Sequence, residues 1–151
     1  MQIPSHLDKF RRLSALRQRF DPLADFELWF WTTLTAGTNA LNASLHLTKL
    51  TSDDPVFSTI PGVHMVRQAD GSYARALRGP GDVSHVGWPP IEGNVPAPIR
   101  ALEHSLEAIE RYRDPCIREG RAATPEIVRE CDQAFAEVTS FLNHYCEASQ
   151  R

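Results

Sequence analysis

Between Leu28 and Thr48 the chain contains no Asp, Glu, Lys or Arg, and its apolar residues recur at helical spacing. Glu27 and Lys49 close this uncharged run at its two ends. Laid out at roughly 100° per residue, the apolar side chains cover more than half of the helix circumference. Because a surface helix normally carries charges on its solvent side, the pattern predicts a central helix around which the rest of the chain packs.

A stripe of neutral polar side chains follows the remaining face of this helix, at spacings of three and four residues. Its members are Thr32, Thr35, Asn39, Asn42 and His46, and Lys49 ends it. The stripe is either a face that bonds to water or to neighbouring helices, or the polar wall of a pocket or subunit interface. A membrane span would have a similar length, but these polar groups disfavour it, and we expect no membrane association.

Helical periodicity continues on both sides of the central helix. A first helix is predicted with Ser5 as its N-cap. Asp21-Pro22 is expected to end that helix and to begin the central one. A third helix is predicted to begin near Pro96 or Pro98.

A fourth helix is predicted from Thr124-Pro125, where a capping residue again precedes a proline. Asp114-Pro115 is expected to interrupt the chain between the third and fourth helices. Cys131 falls in the apolar row of the fourth helix. We interpret it as a small core residue rather than a nucleophile.

Residues 52–95 lack helical periodicity and hold five of the eleven prolines and six of the eight glycines. Residues 63–68 and 72–77 flank Asp70-Gly71, a two-residue turn signal typical of a β-hairpin. The segment is either a structural cap on the helices or a functional lid or partner-binding arm. We therefore predict an all-α fold in one domain spanning 1–151. It is an up-and-down four-helix bundle, with a long β-hairpin-bearing insertion between helices 2 and 3.

Composition and charge limit the partners. A chain of 151 residues with a net charge of −3 predicts one domain and no strong attraction to nucleic acid or anionic lipid. Residues 1–20 differ, because five basic side chains against Asp8 give them a net charge of +4. Three cysteines without C-x-x-C spacing and the lack of an apolar leader favour a cytoplasmic protein with reduced thiols.

The histidines form the sharpest chemical pattern. An up-and-down bundle would collect all six near one pole: His6, His46, His64, His85, His104 and His144. Helical bundles hold metal sites between their helices, so a divalent ion bound by His46, His104 and His144 is one alternative. The H-x-x-x-H spacing of DinB-like metal-binding bundles and the E-x-x-H of ferritin-like di-iron proteins are both absent, and His104 is expected to face outward. We recognise no family from the sequence.

The sequence favours a non-catalytic binding or assembly protein without a cofactor. A homodimer is expected, because the central helix has more apolar surface than one bundle covers. A small molecule or protein partner is expected to contact the polar stripe and the insertion through Asn39, Asn42, His46, Arg67, His85 and Trp88. The alternatives are an enzyme or sensor with a metal site at the histidine-rich pole, and a nucleic-acid-binding bundle that uses the basic first helix.

Overall fold

A computed structural model describes residues 1–53, 63–77, 81–85, 91 and 93–148. These ranges contain the helices α1 (Ile3–Arg17), α2 (Phe26–Leu47), α3 (Ala97–Glu110) and α4 (Pro125–Ala148). The antiparallel strands β1 (Val63–Arg67) and β2 (Tyr73–Leu77) form a hairpin between α2 and α3. The fold is thus mostly helical, and the prediction of a hairpin between the second and third helices is confirmed.

Helix α2 is the central element, because fifteen of its 22 residues are buried. Helix α1 lies antiparallel to it, since His6 near the start of α1 contacts Asn39, while Arg17 at its end contacts Thr33. The uncharged run therefore covers a helix that is mostly buried, as the sequence predicted, although Leu28, Trp31 and Thr35 within it are exposed. None of the described helices combines the length and the apolar character needed to cross a bilayer.

The predicted start of the first two helices is wrong in detail. Helix α1 has Gln2 as its N-cap and a proline in its first turn, so it begins before Ser5. Asp21 does not cap α2. Its Oδ1 instead accepts hydrogen bonds from the backbone N–H groups of Leu23 and Ala24, at 2.9 and 2.8 Å. A short side-chain-to-backbone turn of this kind competes with helix formation, and α2 begins only after Asp25.

The hairpin turn is longer than the two-residue signal suggests. Arg67 pairs with Tyr73, so residues 68–72 form the loop. The backbone N–H of Gln68 donates to the carbonyl of Ser72 at 2.8 Å, and Gly71 has a φ of 84°. A positive φ of this size is what glycine adopts most readily.

The break between the third and fourth helices is confirmed. Helix α3 ends at Glu110, and a π-helical turn, Arg113–Arg118, follows before α4 begins at Pro125. Cys131 of α4 is fully buried, and burial raises the pKa of its thiol to about 12. Because the thiolate is the nucleophilic form, this burial supports the interpretation of Cys131 as a core residue.

Close packing of α2 and α3 depends on Gly37. A Cβ at this position would lie 2.2 Å from Cδ2 of the fully buried Leu106. We expect Gly37→Val to lower the free energy of unfolding by about 1–3 kcal/mol, the usual cost of overpacking a core, as measured by urea denaturation.

The exposed position Thr35 provides the control, because Thr35→Val adds no volume at the helix contact. In a Leu106→Ala background the clashing atoms are absent, so Gly37→Val should cost less there than in the wild type. A Gly37→Val change within about 0.5 kcal/mol of the wild type would contradict this prediction and show that the Leu106 side chain moves aside at little cost.

Candidate metal centre

Three side chains from distant parts of the chain meet beside the C-terminal half of α2. His6 of α1 and His46 of α2 both place Nε2 against Oδ1 of Asp82, at 3.1 and 2.9 Å. The two imidazole ring centroids are 5.3 Å apart. Each of the three residues offers one ligand atom, and these atoms all lie within 4.8 Å of one another. No other group of His, Cys, Asp or Glu in the described ranges is arranged in this way.

Asn39 fixes the orientation and the tautomer of His6. Its Nδ2 donates to the backbone carbonyl of Thr35 at 2.8 Å, so its Oδ1 is the atom that faces Nδ1 of His6, also at 2.8 Å. An amide oxygen only accepts, and Nδ1 of His6 must therefore carry a proton. In neutral His6 the lone pair is then on Nε2, the nitrogen that points at Asp82.

His46 has an equivalent outer partner. Its Nδ1 lies 2.6 Å from Oγ1 of Thr51, which follows the end of α2, and both side chains are buried. Histidines that bind metals almost always engage their second ring nitrogen in such a bond, which sets the ring orientation. The Nδ1 atoms of both histidines therefore make the kind of contact that the second ring nitrogen of a metal-binding histidine makes.

Asn42 holds the segment 81–85 that supplies Asp82. Its side-chain amide donates to the carbonyl of Val83 at 2.9 Å and accepts from the N–H of Val83 at 2.7 Å. The two bonds satisfy both backbone groups of one buried residue, as strand pairing would. Asp82 precedes Val83 directly, so this contact places its carboxylate between the two imidazoles.

The Asp82 carboxylate is ionised and only partly satisfied. Burial raises its pKa, but hydrogen bonds from His46, His6 and the amino-terminal nitrogen of Met1, which lies 2.7 Å from Oδ1, hold the pKa far below its usual value. The second oxygen, Oδ2, is buried and has no hydrogen-bond partner among the described residues. An ionised oxygen facing the lone pair of a neutral imidazole requires a positive charge between them, which a proton or a metal ion provides.

Only some of the residues predicted for a ligand site lie together in the structure. Asn39, Asn42 and His46 are buried and belong to the cluster. Arg67 is exposed on β1. His85 is half-buried, with Nδ1 3.4 Å from Oε1 of Glu110, and Trp88 lies outside the described residues.

The alternative metal set of His46, His104 and His144 is not assembled. His104 and His144 are exposed on α3 and α4, because their positions on these helices turn them away from the buried edges. His64 lies on β1, and its side chain is outside the described part. Of the six histidines, the structure brings His6 and His46 together.

The sequence patterns missed Asp82 and Thr51. No signal marked either residue, since Thr51 lies directly before the insertion 52–95 and Asp82 lies in an irregular part of it. Comparison of the chain with models of protein families, with curated proteins and with solved structures found no match. The cluster is therefore interpreted from its own geometry.

Proposed function

We propose that the protein binds one divalent transition-metal ion through Nε2 of His6, Nε2 of His46 and a carboxylate oxygen of Asp82. The observation that carries the proposal is the convergence of the two Nε2 atoms on one ionised oxygen. Two imidazoles and one carboxylate suit zinc and iron(II). When bound, such an ion supplies a Lewis acid and lowers the pKa of a water that it holds.

The outer contacts of the ligands support the same function. Asn39 and Thr51 hold the Nδ1 atoms of the histidines, and Asn42 holds the backbone next to Asp82. Asn39 and Asn42 of the polar stripe thus support the site, whereas His46 of the same stripe is one of its proposed ligands. This proposal develops the metal-dependent enzyme or sensor and replaces the non-catalytic binding protein as the favoured function.

An up-and-down bundle would accommodate this site, and we include that arrangement in the proposal. Helices α1 and α2 are antiparallel, so the start of one lies beside the end of the other. Helix α3 also runs antiparallel to α4, since Ser105 contacts Glu137 and Arg111 contacts Glu130. The homodimer stays a proposal as well. The exposed apolar side chains of the segment that begins α2 favour it: Leu23, Leu28 and Trp31.

Metal analysis of tag-free protein tests the proposed site. After equilibrium dialysis against zinc or iron(II), we expect one tightly bound ion per chain. His46→Ala and Asp82→Ala should each weaken binding by more than about 100-fold, because even the loss of an outer partner costs 10–100-fold.

The exposed histidines provide matched controls. His104→Ala and His144→Ala remove the same side chain from helices outside the cluster and should leave stoichiometry and affinity unchanged. Circular dichroism establishes that each variant is folded. Equal losses in the cluster and control variants, or no bound ion in the wild type, would refute the proposed function.

A further inference from the structure

The number of donors sets the kind of metal centre. The described residues supply three protein ligands, one from each of His6, His46 and Asp82. Structural zinc sites are closed by four protein ligands, whereas catalytic sites have three and hold water or substrate at the remaining position. Two histidines and one carboxylate also leave positions open on iron(II). The donor set therefore resembles centres that exchange a ligand.

The neighbouring polar side chains already have partners. The amide of Asn39 bonds to His6 and to the backbone of Thr35, and that of Asn42 bonds twice to Val83. The hydroxyl of Thr51 contacts His46. A fourth protein ligand from these three side chains would break a buried hydrogen bond.

The side of the centre that is most exposed to solvent is the side of the Asp82 carboxylate. The side chain of Asp82 is 11% exposed, whereas those of His6 and His46 are 1% and 0% exposed. The buried Oδ2 of Asp82, which has no partner in the part of the chain that the structure describes, is available to accept a hydrogen bond from a group bound to the metal. The amino-terminal nitrogen of Met1 lies 2.7 Å from Oδ1 on this side and brings a positive charge to it.

The net charge of the metal centre determines which kind of ligand would bind at its open position. A divalent ion with two neutral imidazoles and one carboxylate keeps a net charge of +1 in a largely buried site, and the amino-terminal ammonium beside Asp82 adds a second positive charge. Uncompensated charge in such a place is costly. A monoanion in the open position would reduce this charge, whereas a cation or a neutral donor would not.

We propose that the metal held by His6, His46 and Asp82 keeps a coordination position open beside the carboxylate, and that this position binds a small monoanion with an oxygen or nitrogen donor. This inference rests on the proposed function and classes the centre with catalytic rather than structural sites. Carboxylates and metal-bound hydroxide belong to this ligand class.

Cobalt(II) in place of the native ion makes the open position visible, because its visible absorption depends on the number and type of its ligands. We expect one cobalt per chain. Titration with azide, and separately with acetate, should then change the spectrum in a saturable way, with one anion bound per cobalt. The His104→Ala variant should respond like the wild type, and protein saturated with zinc should give no cobalt spectrum.

Two results would overturn the inference. If cobalt binds stoichiometrically and is displaced by zinc, but neither anion alters its spectrum, the site is closed and the proposed function survives alone. If cobalt in the presence of the protein shows only the spectrum of free cobalt, both the inference and the proposed function fail. Free cobalt titrated with the same anions separates binding at the site from binding in solution.

Discussion

Replacing Asn42 with alanine should lower the free energy of unfolding by about 2–5 kcal/mol. The substitution leaves the buried N–H and carbonyl of Val83 without their hydrogen-bond partners, and each stranded buried group costs about 1–3 kcal/mol. Denaturant unfolding monitored by circular dichroism measures the change. The same variant should also weaken metal binding, because segment 81–85 then no longer holds Asp82 against the histidines.

Asn143 of α4 is the matched control, since it is an exposed asparagine in a helix. Asn143→Ala should change stability by no more than about 0.5 kcal/mol, with a slight gain from the higher helix propensity of alanine. If Asn42→Ala were as harmless as Asn143→Ala, then segment 81–85 would not be attached to α2 in solution. The position of Asp82 would then have no support.

The central helix was predictable because its signal is a property of one continuous segment. A helix that is largely surrounded by protein has few places for charges, so the absence of charged residues between Leu28 and Thr48 reports extensive burial. Leu28, Trp31 and Thr35 are nevertheless exposed. Helix starts were less predictable. Ser5 and Asp21 are both suitable capping residues, but a proline in the first turn of α1 and the turn made by Asp21 decide the actual starts.

Two of the three residues of the cluster, His6 and His46, are brought together by the topology of the first two helices. Two antiparallel helices joined by a short corner place His6, near the start of one, beside His46, near the end of the other. The other helical histidines are excluded from the cluster by their positions around the helix axes. The outward position expected for His104 is the one that the structure shows. The metal set predicted from the sequence, His46, His104 and His144, nevertheless contains only one of these two histidines.

The carboxylate could not be predicted in the same way. Asp82 lies in irregular chain without periodicity, and its place depends on a contact between Asn42 and the backbone of Val83, forty-one residues away in the sequence. Backbone groups are the same at every residue, so no sequence pattern identifies which one a side chain binds. The polar stripe of α2 correctly indicated that its side chains have polar partners, but the stripe did not identify those partners.

Arg17→Ala is expected to cost about 3–5 kcal/mol, the range for removing a large buried side chain from a core. Arg17 is 7% exposed although it carries a permanent charge. Its guanidinium lies between two aromatic rings, 5.0 Å from the centroid of Trp29 and 4.5 Å from that of Phe135. It also donates to Oγ1 of Thr33 at 2.9 Å and to Asp132, so it joins α1 to both α2 and α4.

Two further variants separate packing from charge. Arg12→Ala removes an exposed arginine of the same helix, paired with Asp8, and should cost no more than about 0.5 kcal/mol. Arg17→Met keeps an extended side chain between the rings and should recover most of the loss, because Asp132 is half exposed and is solvated without its partner. If Arg17→Met were as destabilising as Arg17→Ala, the ion pair rather than the packing would hold these three helices together.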